Sequence, residues 1–281
     1  MFNAIEKNNS VELTGLDRFS ISKIFDCGQS FRFDPAGNGI EGVAMGRFLR
    51  FEQPSPDTVI ISGITLSEFV EKWKNYLALD ADYENIDRDI ITRLNNDTTI
   101  TRAIEYGSGI RILRQDGWEA LCSFIVSQNN NIPRIKKIIE NMSKTFGENI
   151  DGIHYAFPTP EALCEAGPDR IFELKTGFRA KYIYDAAKKV ADRTVDLSLI
   201  PQMSTAEAAE YLMQIKGVGL KVASCALLFG FNKTDAFPVD VWVKRVLDKY
   251  YPQGLDLNNL GDNAGMIQQY LFYYERYNSQ S

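Results

Sequence analysis

Lys221 and Asp240 are the residues whose types and spacing could do covalent chemistry. Lys221 follows Gln214-Ile215-Lys216-Gly217-Val218-Gly219-Leu220, in which two glycines one residue apart allow a very tight turn between helical patterns. Glycine tolerates positive φ and leaves backbone N–H groups uncovered, so this turn and the helix N-terminus after it suit a phosphate. A plain helix C-cap followed by a second helix fits the same run. No strand pattern precedes it and the third glycine of GxGxxG is missing, which disfavours a dinucleotide fold; the spacing of a P-loop is absent too. Lys221 falls in the first turn of the following helix, where the positive end of the dipole disfavours an ammonium group. A neutral amine there is a nucleophile able to form a Schiff base, the alternative being a solvated helix lysine. In Phe237-Pro238-Val239-Asp240-Val241-Trp242, Pro238 keeps Phe237 extended and Asp240 takes an N-cap position. Asp240 either caps alone, or caps and also offers its carboxylate to a cationic or electron-poor group.

Other chemistries are excluded by composition. Cys27, Cys122, Cys164 and Cys225 lie too far apart for a CxxC zinc site, an iron–sulfur loop or a compact disulfide framework. The single histidine, His154, leaves no multi-histidine metal centre and argues against a Ser-His-Asp triad. With 281 residues, 44% of them hydrophobic, the chain has length for about two domains and enough apolar material for a core without disulfides. No apolar run approaches the roughly 18 residues of a membrane span, and MFNAIEKNNS lacks a secretory h-region. The expectation is a cytoplasmic protein with free thiols, no targeting segment and no membrane partner. The net charge of −6 opposes a nucleic-acid partner, but a local positive face suffices. From Tyr211 to Tyr250 six basic residues meet three acidic ones, an excess of +3 against the global balance.

The elements that must position these residues fall into two parts. Ser10–Leu13, Ser30–Phe33, Arg47–Phe51 and Thr58–Ile61 read as strands, separated by turn formers at Asp34–Gly39 and Pro54–Asp57. From Thr65, Leu66, Phe69, Val70, Trp73 and Leu77 mark an amphipathic helix. Beyond Tyr83 the pattern is helical. Asp116 suits the cap of a helix ending at Asn129-Asn130-Asn131, and the next helix runs from Pro133 to Gly147. A Pro/Gly-bearing connection precedes helices at Asp169–Leu174, Ala180–Thr194, Thr205–Ile215, Leu220–Leu228, Val241–Lys249 and Gly265–Arg276. The fold class is α+β: an N-terminal antiparallel sheet module with packed helices over 1–82, then a mainly helical body over 83–281.

Gly217-Val218-Gly219-Leu220-Lys221-Val222-Ala223-Ser224-Cys225 followed by Pro238-Val239-Asp240-Val241-Trp242 resembles the helix-hairpin-helix (HhH-GPD) DNA glycosylases. Four further runs narrow the resemblance to the 8-oxoguanine DNA glycosylase/AP lyase family: Cys27-Gly28-Gln29-Ser30-Phe31-Arg32, Ser127 to Arg134, Gly177 to Tyr182, and Ala264 to Phe272. The resemblance runs from about residue 10 to about 275, in the family's order.

It implies a bifunctional enzyme of base excision repair that removes 8-oxoguanine opposite cytosine from double-stranded DNA. Lys221 would attack C1′ of a flipped nucleotide and drive β-elimination; Asp240 would stabilise positive charge on the sugar. Gly28 would accept the N7 proton that 8-oxoguanine has and guanine lacks, the alternative being an ordinary turn glycine. Gln268 and Phe272, four apart on one helix face, would pair with the base edge and stack on it, with Cys225 on the other side. Asn129, Arg134 and Arg179 would read the orphaned cytosine, with a phosphate contact open for Arg179, and Phe178 would act as the wedge. The hairpin amides at Gly217, Val218 and Gly219 would hold phosphate, with a monovalent cation on that backbone; no zinc, iron–sulfur cluster or redox cofactor is required. Trp242 stands where the family often has histidine, and Met266 where tryptophan is frequent. The expected setting is a monomer on bacterial or archaeal nucleoid DNA. A glycosylase for alkylated purines, active without Lys221, and a non-catalytic DNA-binding module are the other readings.

Overall fold

The computed structural model describes residues 2–278. Strands β1 (Asn3–Lys7), β2 (Ser10–Thr14), β3 (Phe33–Ala36), β4 (Gly39–Ala44), β5 (Arg47–Ser55) and β6 (Thr58–Ser62) form one antiparallel sheet in the spatial order β1-β2-β6-β5-β4-β3. Period-two alternation turns Val11, Leu13, Leu49, Phe51, Val59 and Ile61 to one face. Helix Ile21–Asp26 and a helix over 66–76 cover that face with Ile24, Phe25, Phe69, Trp73 and Leu77. Thr65 and Glu68 close a capping box at the start of the second helix, where the sequence pattern predicts one.

The strand pattern is right for β2, β5 and β6 and misses β1 and β4. The strand expected over Ser30–Phe33 begins only at Phe33, and Asp34-Pro35-Ala36, expected as a turn, belongs to β3. Proline is tolerated there because β3 is an edge strand, so its missing N–H breaks no ladder. Only Gly37 and Asn38 are left to turn the chain between β3 and β4.

The body that follows is helical. Asp116 caps helix Gly117–Ser127, accepting from Glu119 N at 2.8 Å, and Asn131 caps helix Ile132–Phe146, accepting from Arg134 N at 3.0 Å. The expected connection before Asp169 already contains helix Pro160–Ile171, broken by a kink at Gly167, where φ is +75. Helices Tyr83–Arg93, Thr98–Gly107, Ala180–Ala191, Thr205–Leu212, Leu220–Phe231, Val241–Tyr250 and Ala264–Asn278 also belong to the body. Among the described residues no helix is long and apolar enough to cross a membrane. Helix Leu220–Phe231 is buried continuously from Val222 to Phe229 and packs on helix Gly117–Ser127, so the lysine in its first turn has a rigid root.

Packing ties the sheet module to the body. Cys27 and Phe31 belong to the core of the helical body, whereas Leu113 lies in the core beneath the sheet. Arg32 pairs with Glu119 at 3.5 Å and donates to the Tyr155 carbonyl. Burial of Glu119 pushes its carboxyl up to about 7, with Arg32 opposing the shift. The folded state therefore holds this proton more tightly than the unfolded chain, and the group's contribution to stability declines as pH rises from about 4.5 to 7. In urea titrations at pH 5 and pH 7 the wild-type protein should lose more stability across that interval than Glu119→Gln. Equal pH dependence in the two proteins would refute the assignment.

Candidate active site

A cavity of about 120 Å³ lies where the Cys27–Arg32 loop, the end of helix Gly117–Ser127, the hairpin helix and the C-terminal helix meet. It is lined by Lys221, Asp240, Gly28, Cys225, Gln268 and Phe272, so the structure brings together the whole of the expected catalytic and base-binding set. The Lys221 amine is 3.2 Å from Ser127 Oγ and sits over the Phe124 ring, 5.5 Å from its centroid. Ser127 donates its own proton to the Phe124 carbonyl at 2.8 Å, which leaves its oxygen to accept from the amine.

Asp240 takes the N-cap position expected of it and also borders the cavity. Its Oδ1 accepts from Val243 N at 2.8 Å as the N-cap of helix Val241–Tyr250, and the residue also lines the cavity. Burial raises its pKa, while the capping amide and the Lys221 charge pull in the other direction. Burial likewise pushes the Cys225 thiol up to about 11, with Lys221 opposing, so Cys225 meets the cavity chiefly as a thiol.

On the opposite side, Gly28 adopts φ +76, and a Cβ added to it would stand 3.0 Å from Phe272 Cζ. The Phe272 ring thus takes the space that a side chain at position 28 would need. Gln268 is 4% exposed, and its Oε1 is a buried acceptor with no hydrogen-bond partner. Such a group costs about 1–3 kcal/mol unless something fills its place, and here it lines the cavity.

Sequence reasoning missed several members. Phe31, Phe124, Ser127, Asn130 and Trp242 line the cavity; Trp242, at the place of the family's histidine, adds a ring to its wall and carries Arg245 at 4.7 Å. Gln269 and Gln29 brace the glycine loop. Ser127 and Gln29 stood inside quoted motifs, but nothing in their spacing pointed to these contacts.

The hairpin and the neighbouring surface lie outside this cavity. Gly217 has φ +78, and the Tyr182 ring fills the space a side chain would need. Gly219, the N-cap of the lysine helix at φ −103, has open space at its Cβ position, and Val218 is buried. Tyr182 also packs edge-on against Phe178 at 5.8 Å, and Phe178 is 51% exposed. Asn129 is exposed at φ +47 and Arg134 is exposed on the first turn of its helix. Arg179 is placed differently from a free reader. Its guanidinium is buried and donates to the Gln128, Asn129 and Thr176 carbonyls, which fixes the turn that presents Asn129.

Comparison with known proteins identifies the family. Residues 13–121 match the family described as 8-oxoguanine DNA glycosylase, N-terminal domain, and residues 122–254 match the HhH-GPD superfamily of base excision DNA repair proteins. The chain belongs to the 8-oxoguanine DNA glycosylase family of the HhH-GPD superfamily. An N-glycosylase/DNA lyase of Saccharomyces cerevisiae is 38% identical over 167 residues, 54% of this chain and 44% of that protein, so the match spans less than half of the yeast relative. A probable N-glycosylase/DNA lyase of Methanothermobacter thermautotrophicus is 30% identical over 64% of this chain and 68% of its own length. Among solved structures, the Clostridium acetobutylicum 8-oxoguanine glycosylase/lyase in complex with double-stranded DNA containing cytosine opposite 8-oxoguanine superposes with TM-score 0.90 at 36% identity, covering 99% of this chain and 98% of that one. MBOgg1 in complex with a low-affinity DNA ligand gives TM-score 0.92 at 40% identity over 99% of both chains.

The family's hairpin makes different demands on its two glycines. Gly217→Ala combines positive φ with overlap on Tyr182 and should cost at least about 2 kcal/mol of stability. Gly219→Ala adds a methyl group into open space and should stay within about 1 kcal/mol of wild type. Urea unfolding of the two variants checks this, and an equal loss in both would contradict the description of the turn.

Proposed function

We infer that this chain is a bifunctional DNA glycosylase/AP lyase that excises 8-oxoguanine, preferentially opposite cytosine, and then cleaves the strand. The observation that carries the reading is one cavity lined by an amine, a carboxylate and an unpartnered amide oxygen. Flipping the nucleotide out of the stack costs a few kcal/mol and brings C1′ to Lys221. The Lys221 nitrogen bonds to C1′ while the bond from C1′ to the base N9 breaks, and the proton that the nitrogen sheds passes to the departing base. Opening of the sugar ring then gives the imine, and loss of a C2′ proton expels the 3′ phosphate. Asp240, fixed by its cap, sets a carboxylate against the positive charge that develops on the sugar.

Base selection follows from the far wall. The Gly28 carbonyl accepts N7–H, which guanine lacks; Gln268 takes the pairing edge; Phe272 and Cys225 enclose the ring faces. Asn129 and Arg134 supply donors for the acceptors of the orphaned cytosine, Arg179 holds the Asn129 turn, and Phe178 enters the emptied stack. The open space at Gly219 leaves room for a phosphate on the Gly217–Gly219 backbone, aided by a monovalent cation; the chemistry calls for no other cofactor. The enzyme would act on DNA in the cytoplasm.

Single-turnover excision from duplexes with 8-oxoguanine opposite each of C, A, G and T tests the reading, and the C pair should be fastest. Lys221→Gln should lose both excision and nicking by more than about 10³-fold. Substantial excision by Lys221→Gln without nicking would move the protein to the water-using glycosylases.

A further inference from the structure

We propose that Gln269 is a positioning residue for base selection, acting with Gln29 and Gln115 to aim the Gly28 carbonyl into the cavity. This rests on the assignment of that carbonyl as the group that distinguishes 8-oxoguanine from guanine. Three consecutive carbonyls run through the loop at Cys27, Gly28 and Gln29. Gln269 Nε2 donates to the Cys27 carbonyl at 2.5 Å, and Gln115 Nε2 donates to the Gln29 carbonyl at 2.7 Å. The carbonyl between them, that of Gly28, is engaged by no hydrogen bond among the described residues, and Gly28 lines the cavity.

The surrounding groups fix the two held peptides. Gln29 is 1% exposed; its side chain donates to the Ile24 and Arg111 carbonyls at 2.9 and 2.8 Å and accepts from Leu113 N at 2.8 Å. Gln269 is 2% exposed and stands beside Gln268 on the C-terminal helix, three residues before Phe272, which presses on Gly28. One turn of helix therefore presents the base edge to Gln268, backs the loop with Phe272, and sets the peptide plane through Gln269. The glutamine donors on the peptides at either side restrict rotation about the free carbonyl, and a carbonyl aimed at N7 repels guanine, whose N7 is itself an acceptor.

Gln269→Met keeps length and removes the donor. Three activities are read side by side: excision of 8-oxoguanine opposite cytosine, excision of guanine opposite cytosine, and cleavage of a preformed abasic site, which has no base to read. The proposal expects 8-oxoguanine excision to fall roughly ten-fold and its ratio over guanine to shrink, with abasic-site cleavage within about two-fold of wild type. Gln115→Met should show the same split through the other held carbonyl, which keeps the test decisive if one variant folds poorly. Parallel loss of all three activities in both variants, or an unchanged ratio, would overturn the proposal. Failure of the wild-type protein to excise 8-oxoguanine would instead overturn the function on which it rests.

Discussion

In the proposed reaction an amine that attacks carbon cannot be tied up by a carboxylate, yet a carboxylate is needed close by. The structure meets this constraint with a neutral partner. Ser127 gives its proton to the Phe124 carbonyl and accepts from Lys221, while the Asp240 carboxylate is tethered to the amide of Val243. The lysine is thus oriented by a hydroxyl that carries no charge, and the anion stays where its helix holds it.

The same helix end joins Lys221 to the exposed turn at Asn129. Ser127 closes helix Gly117–Ser127, and the chain passes at once into Gln128 and Asn129, whose carbonyls Arg179 grips. Arg179 in turn follows Phe178, which touches Tyr182, which fills the space above Gly217. Lys221, Phe178, the hairpin and the Asn129 turn therefore form one packed unit rather than separate attachments to a scaffold. The facing wall of the cavity is built from the Cys27–Arg32 loop and the C-terminal helix.

Much of the cavity lining was legible because motif and local physics coincide there. Gly217 needs positive φ, Asp240 caps a helix, and Gln268 and Phe272 share a helix face. The braces were not legible. Gln269 reaches Cys27 across 242 residues of chain and Gln29 reaches Arg111 across 82, and a buried glutamine leaves no periodic trace in sequence. Arg179 reads as a recognition residue by type, yet it is buried and grips three backbone carbonyls. The N-terminal sheet misled in the same way: Pro35 signals a turn locally, and only its place on an edge strand lets it belong to β3.

The central claim is that the Lys221 amine becomes covalently bound to the sugar. Borohydride reduction during turnover on a duplex carrying 8-oxoguanine opposite cytosine, followed by mass mapping of the digested adduct, tests it most directly. The account predicts one protein–DNA adduct, located on Lys221. An adduct on another residue, or none from folded protein that still excises the base, would contradict it.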